Sequence, residues 1–256
     1  MKRSQLLSIH GRLRKVWLLI GLATVFWPSR PASAIEFSNS FVAGKRVTVC
    51  RVNVRKERLR LFLKNDSGQP FKSFRGVEQW LGARGQKLLF GMNAGMYHPD
   101  FSPVGLFVSD GRQLTPLNTT NGVGNFFLKP NGVFLISDAG ARVLESSEYS
   151  GLRERVILAT QSGPLLVHRG KIHPAFRINS DSRIYRNGVG VPSPEIAVFV
   201  ITEDEVNFYE FATLFRDVLG CPDALFLDGI ISSLHSTQLQ RSDKQNDLGP
   251  MIGIVE

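Results

Sequence analysis

Asp228 closes the apolar run Ala224-Leu225-Phe226-Leu227 and opens the segment Asp-Gly-Ile-Ile-Ser-Ser. Such a run ending in Asp-Gly reads as a buried strand that stops at a carboxylate on a tight turn. Binding pockets combine apolar walls with a few placed polar groups, and a carboxylate at the end of a buried strand meets that description. Gly229 lets the backbone approach closely, while Ser232 and Ser233 can donate hydrogen bonds to the carboxylate or to a ligand. Most Asp-Gly pairs are only turns. This one gains weight from three polar, glycine-bearing clusters upstream.

The first is Asn93-Ala94-Gly95-Met96-Tyr97, which directly follows an apolar stretch. A side-chain amide there can bond a substrate hydroxyl, although Asn-x-Gly alone is more often an Asx-type turn. The second is Thr160-Gln161-Ser162-Gly163-Pro164. Gly163-Pro164 fixes a sharp corner and leaves the Ser162 hydroxyl free to point the same way as nearby amides. The third, Arg177 through Gly190, holds Arg177, Arg183 and Arg186 among Asn179, Asp181, Ser182 and Asn187. It reads as a long polar loop, and such loops in compact domains are commonly functional. Guanidinium forks suit carboxylate or phosphate oxygens, so function is set ahead of a merely solvated loop here.

Several chemistries are excluded. There is no Gly-x-Ser-x-Gly elbow, and adjacency of His235 to Ser232 and Ser233 is not triad geometry. His98 and His173 each precede proline and read as loop positions. No Cys or His spacing matches a zinc site, so no metal ligand is assigned.

The elements that must hold these clusters are mainly strands. Val47 to Val54 and Leu59 to Leu63 read as two, Lys87 to Met92 as a buried third, and Val104 to Val108 as a fourth. Asn125–Leu128 and Gly132–Ile136 read as a hairpin, as do Glu195–Ile201 and Glu205–Tyr209. Val156–Thr160 and Leu165–Val167 flank the Gly163-Pro164 corner, and Ala224–Leu227 and Met251–Val255 supply late strands. Helices are few: a short one around Gly76–Gly82 and one carrying Phe211, Leu214, Phe215, Val218 and Leu219, stopped by Gly220 and Pro222. The pattern predicts an α+β fold of mixed β-sheets with few helices in a single compact domain.

Residues 1–34 have the anatomy of a secretory signal peptide, with a basic opening, an uncharged stretch from Val16 to Trp27, and Ala32-Ser33-Ala34 before Ile35. The domain proper is 35–256, placed in the periplasm or outside the cell, with an uncleaved N-terminal anchor as the alternative. The stretch is short for a stable membrane span, which needs ~20 residues. Of 31 basic side chains six fall in 1–34, leaving 25 against 22 acidic ones, a balance of +3 for 35–256. The high overall charge therefore belongs to the leader, and nucleic acid is rejected as a partner. Cys50 and Cys221 form either a disulfide, as export favours, or two separate buried thiols. No motif sets the oligomeric state.

Taken in order, the four clusters resemble the phosphodiester glycosidase family. Its pattern is matched by Asn93, Gly95, Met96 and Tyr97, then by Gly163, Pro164 and Gly170, then by Arg186 with Gly190, and finally by Leu227, Asp228, Gly229 and Ser232. The likeness spans roughly 45 to 255 and is nearest to an exported bacterial branch with Met-Tyr-His after the first motif and Ser-Ser-Leu after the last. Two positions depart: Ile230 stands where a second glycine is common, and Asn187 where many relatives have threonine.

The resemblance implies hydrolysis at the anomeric carbon of a sugar-1-phosphodiester, such as a cell-envelope phosphoglycan, without a cofactor. The leaving phosphate monoester has a second pKa of about 6 and departs without strong acid help. Arg186 then holds phosphate with help from Arg177 or Arg183, and Asp228 orients water or stabilises the oxocarbenium-like carbon. Asn93, Gly95, Ser162, Gly163, Asn187, Gly229, Ser232 and Ser233 complete the substrate-binding set. Two alternatives follow in order: a non-catalytic glycan or phosphoglycan binder, motivated by Ile230, and a phosphodiesterase using a divalent cation on oxygens such as Asp181 and Asp228.

Overall fold

The computed structural model describes residues 35–244 and 246–256. The expected signal segment 1–34 lies outside the described residues. The chain forms β1 (Ile35–Val42), β2 (Lys45–Asn53), β3 (Leu59–Phe62), helix α1 (Phe74–Gly82) and β4 (Leu88–Asn93). Next come β5 (Phe107–Ser109), β6 (Arg112–Thr115), β7 (Gly132–Ser137), β8 (Gly140–Glu145), α2 (Ser146–Tyr149) and β9 (Val156–Ser162). β10 (Leu165–His168), β11 (Lys171–Ile172), β12 (Asn187–Ser193) and β13 (Ile196–Thr202) lead to α3 (Phe208–Thr213), which widens into a π-helical turn over Leu214–Val218. The last strands are β14 (Asp223–Asp228), β15 (Leu234–Ser236), β16 (Arg241–Ser242) and β17 (Met251–Val255).

These strands build three sheets: seven strands in the order β1-β2-β13-β12-β14-β10-β11, and two five-stranded sheets, β16-β15-β4-β17-β3 and β6-β5-β9-β7-β8. Neighbours run antiparallel, as in the β12–β14, β4–β17 and β7–β9 pairs. The described residues belong to one compact unit. The expectation of one sheet-dominated domain with few helices holds.

All three sheets face one apolar core, with Leu225 and Leu227 of β14, Phe90 and Met92 of β4, and Phe107 and Phe134 of the third sheet in a single buried cluster. The other face of β14 is covered too: Ala224 and Phe226 pack with Phe211 and Phe215 of the last helical segment. Burial on both faces explains why β14 reads as an unbroken apolar run rather than an alternating one. Capping sets both longer helices. Ser73 Oγ accepts from Gly76 N at 3.2 Å ahead of α1, and Asn207 and Glu210 form a reciprocal capping box at α3.

The structure corrects four expectations. Asn125–Phe127 is a 3-10 turn, and β7 pairs instead with β8 and β9. β13 pairs with β12 and β2, while the expected partner segment 205–209 runs into α3. The strand expected over Val104–Val108 forms over Phe107–Ser109. The polar loop expected through Gly190 ends at Arg186, because Asn187–Ser193 is a central strand. Its glycines are packing residues: a Cβ on Gly188 would lie 2.7 Å from Leu225 O, and one on Gly190 2.6 Å from Phe215 Cδ1. Glycine inside a strand marks such close approach as readily as it marks a turn.

Candidate active site

β14 carries Asp228 to the end of the central sheet. Asn187 of β12 pairs with Asp228, and the next pair is Gly188 with Phe226, so Leu227 is an extra residue in β14. A bulge of this kind re-aims the side chain beside it. The Asp228 carboxylate lines a cavity, yet enough protein surrounds it that burial pushes its pKa up to about 7. Gly229 N donates to Oδ1 at 2.7 Å and opposes that rise, as does the neighbouring Asn93 amide. Desolvation wins because neither partner is a cation.

Behind Asp228 lies a buried amide network. Asn93, at the end of β4, is 1% exposed, and its Oδ1 accepts from Asn187 Nδ2 at 2.6 Å and Ser233 N at 3.0 Å. Asn187 Nδ2 also reaches Asn93 O at 3.1 Å. Asn93 Nδ2 completes no well-formed hydrogen bond with the protein even though it lies close enough to act on Asp228, and Asn187 Oδ1 is likewise unpartnered. Three chain segments distant in sequence thus meet at one carboxylate.

The Gly-Pro corner supports the same point from the third sheet. Ser162 is fully buried and donates its hydroxyl to Leu227 O at 2.9 Å, fixing the bulged residue next to Asp228. Thr160 Oγ1 donates to Ala94 O at 2.6 Å, just ahead of Gly95. Gly95 has φ +141, a conformation that L side chains rarely adopt. At Gly163, a Cβ would stand 2.6 Å from Asn131 Cβ. The residues of this corner are therefore placed to shape the backbone. After Asp228, Ser232 Oγ donates to Gly229 O at 2.5 Å and Ser233 Oγ to Ile231 O at 3.0 Å, so both hydroxyls close the turn.

The cavity in front of Asp228 measures about 480 Å³, within the ~300–1,000 Å³ range of small-molecule sites. One wall is Met96, Tyr97 and Val104, and another is Val123 through Phe127. Ile184, Gly229, Ile230 and Ile231 complete it. The Tyr97 ring is held by stacking on Phe101 at 5.6 Å, and its hydroxyl donates to Asp247 O at 2.5 Å. Burial, then the charges of Asp228 and Asp247, raise the Tyr97 pKa. Ile230 does not fill the pocket; it stands at the mouth, 75% exposed. Among the described residues, no Lys, Arg or His lines this cavity.

The three arginines are not gathered there. Arg177 and Arg183 are exposed, and Arg183 is forked onto Glu210 with both contacts at 2.7 Å. Arg186 is 1% exposed, with its guanidinium 3.7 Å over the Phe208 ring. Nε donates to Val206 O at 2.9 Å and Nη2 to Ser182 O at 3.0 Å, while Nη1 has no partner. Burial without a carboxylate lowers its pKa to about 10. It ties the 182–186 segment to the approach to α3, and that segment places Ile184 against Gly229.

Among the described residues, no three His, Cys, Asp or Glu side chains are grouped to hold a metal ion. His235 belongs to β15, where Nε2 lies 3.1 Å from Leu88 O and Nδ1 3.1 Å from Ser242 Oγ. His98 is exposed, and His173 is a buried loop residue stacked on Phe176 at 4.7 Å. Cys50 and Cys221 are separate buried thiols, the second of the two readings left open by the sequence. Sequence reasoning missed the 123–127 wall. Gly122-Val123-Gly124 was its available signal, a glycine-flanked apolar residue with no strand to serve.

A β-rich domain that ends a central strand in a half-buried carboxylate at the wall of a cavity has a clear set of relatives. The phosphodiester glycosidase (NAGPA) family model matches residues 86–255, and the chain belongs to that family. It is 29% identical over 225 residues to the uncharacterized protein YigE of Escherichia coli (strain K12), covering 87% of this chain and 85% of YigE. Among solved structures, it is similar to the zebrafish N-acetylglucosamine-1-phosphodiester alpha-N-acetylglucosaminidase catalytic domain auto-inhibited by pro-peptide. That match has TM-score 0.60 and 14% identity, covering 86% of this chain and 81% of the other. A hypothetical protein from Synechocystis matches with TM-score 0.53 and 14% identity, over 87% of this chain and 62% of that one. At such identities the solved structures establish the fold.

Proposed function

We propose that this protein is an exported hydrolase that breaks the anomeric C–O bond of a sugar-1-phosphodiester. The observation that carries the reading is Asp228, a lone carboxylate poised near neutrality at the wall of a substrate-sized cavity. A general base works best with a pKa near the operating pH. Ionised Asp228 takes a proton from water as the water oxygen bonds to the anomeric carbon. The C1–O bond breaks, and its electron pair leaves with the phosphate monoester.

The residues around Asp228 act on its position. Asn93 and Asn187 hold the ends of β4 and β12 beside it, and Ser162 fixes Leu227. Arg186 is best read as a positioning residue that holds the 182–186 segment. The phosphate grip that the family resemblance implies for it would require Nη1 to become accessible. Export rests on the sequence pattern of residues 1–34, and N-terminal sequencing of the secreted protein would test it by showing a start at Ile35. Among the described residues, no helix is long and apolar enough to cross a membrane.

The test is turnover of hexose-1-phosphodiesters by the purified protein and its Asp228→Asn variant. Release of free sugar by the wild type and a loss of about 10²–10⁴-fold in the variant support the reading. Full activity in the variant removes Asp228 from the chemistry.

A further inference from the structure

The cavity in front of Asp228 has an unusual mouth for a site that handles a phosphate. Val123 is 97% exposed and Ile230 75% exposed, and both line it. They come from separate segments, the 118–128 loop and the turn after β14. Single exposed aliphatics are ordinary. Two from different loops lining the cavity that holds the candidate catalytic carboxylate form a lip, and the half-buried Phe127 and Ile231 line the same cavity.

Charge narrows the occupant further. Among the described residues Asp228 is the only charged group in the lining, so every negative charge beyond the one phosphodiester adds repulsion that no lining cation offsets. A pyrophosphate or nucleotide aglycone would bring further negative charge without a cation to meet it, at a steep desolvation penalty. A polar polyol would leave Val123 and Ile230 in water and gain nothing from them.

We propose that the second substituent on the substrate's phosphate is a hydrocarbon chain, which leaves the cavity over Ile230 and Val123. This rests on the reading of Asp228 as the hydrolytic centre and names the substrate class of that same site. The aglycone lies on the apolar lip and the sugar lies inside against the half-buried Tyr97. Hydrolysis releases free sugar and an alkyl phosphate whose chain still lies on the lip.

The experiment uses one hexose carried on methyl, butyl, octyl and dodecyl phosphodiesters, all below their micelle-forming concentrations. Each methylene that passes from water to full apolar contact strengthens binding about fourfold. kcat/KM should therefore rise at least tenfold from methyl to octyl, and Ile230→Ser and Val123→Ser should each reduce the octyl-to-methyl ratio several-fold. Turnover that is independent of chain length overturns the hydrocarbon lip and leaves the hydrolase reading intact. If no member of the series is hydrolysed, titration calorimetry on the same compounds decides. Affinity that grows with chain length and is lost in Ile230→Ser upholds the lip while the hydrolase reading falls. Affinity indifferent to the chain overturns the lip as well.

Discussion

Asn187 Nδ2 lies 2.6 Å from Asn93 Oδ1, so a strand of the seven-stranded sheet is tied by side chains to a strand of its five-stranded neighbour. The bond sits beside Asp228, which pairs with Asn187 across the sheet. Both amides are buried, and their coupling should be measurable. Asn93→Ala leaves Ser233 N without its acceptor and is expected to lower stability by about 1–3 kcal/mol. A double-mutant cycle of Asn93→Ala with Asn187→Ala, read by denaturant unfolding, should show a coupling of about 0.5–3 kcal/mol. Additive effects would mean the two amides act independently.

Asp228 should make stability depend on pH in a direction opposite to most carboxylates. Its folded pKa is raised from the ordinary 3.8 to about 7, so the folded protein keeps a proton that the unfolded chain releases. Stability therefore falls as pH rises through that window and is level above it. Asp228→Asn removes the penalty. Its melting temperature should match the wild type near pH 4 and exceed it at pH 8. With about 1.4 kcal/mol per pKa unit, the expected gain is a few kcal/mol. An equal difference at both pH values would contradict the buried-charge account.

The same group should shape the rate. If Asp228 works as the base, kcat/KM rises with pH, bends near 7 and stays flat above. A limb that descends above 7 would make the protonated acid the active form.

Asp228, Asn93 and Ser162 were legible in the sequence because each ends an apolar run at a small-residue turn, and those ends meet in space. The walls were less legible. The 125–128 segment reads as strand from its phenylalanines, yet Asn131 Nδ2 bonds to Phe126 O at 2.8 Å and holds the segment in a turn. β12 reads as loop from its glycines, which only the neighbouring Leu225 and Phe215 explain. Arg186 looked like a ligand-facing cation. Nothing in its local sequence says that it points onto Phe208 and two backbone carbonyls.

That placement separates two roles for Arg186. Arg186→Lys keeps the charge and loses the fork to Val206 O and Ser182 O. Hydrogen bonds to charged groups contribute roughly 1.5–3 kcal/mol each, so the variant should melt lower and be cleaved faster within 181–186 by protease. A raised KM with unchanged melting would instead assign Arg186 to the substrate's phosphate.

The thiols give a simpler check. Burial raises Cys50 far above the ordinary thiol range and Cys221 to about 12. Neither should react with a disulfide reagent at pH 8 until the protein unfolds, when both react. Rapid labelling of the native protein would contradict their burial.

The most direct test follows the oxygen atom. Hydrolysis of a hexose-1-phosphodiester in water enriched in heavy oxygen, read by mass spectrometry of both products, shows which bond breaks. Label in the free sugar and none in the alkyl phosphate is the predicted result, since water attacks the anomeric carbon. Label in the phosphate would mean attack at phosphorus and would contradict the assignment of this site to glycosidic cleavage.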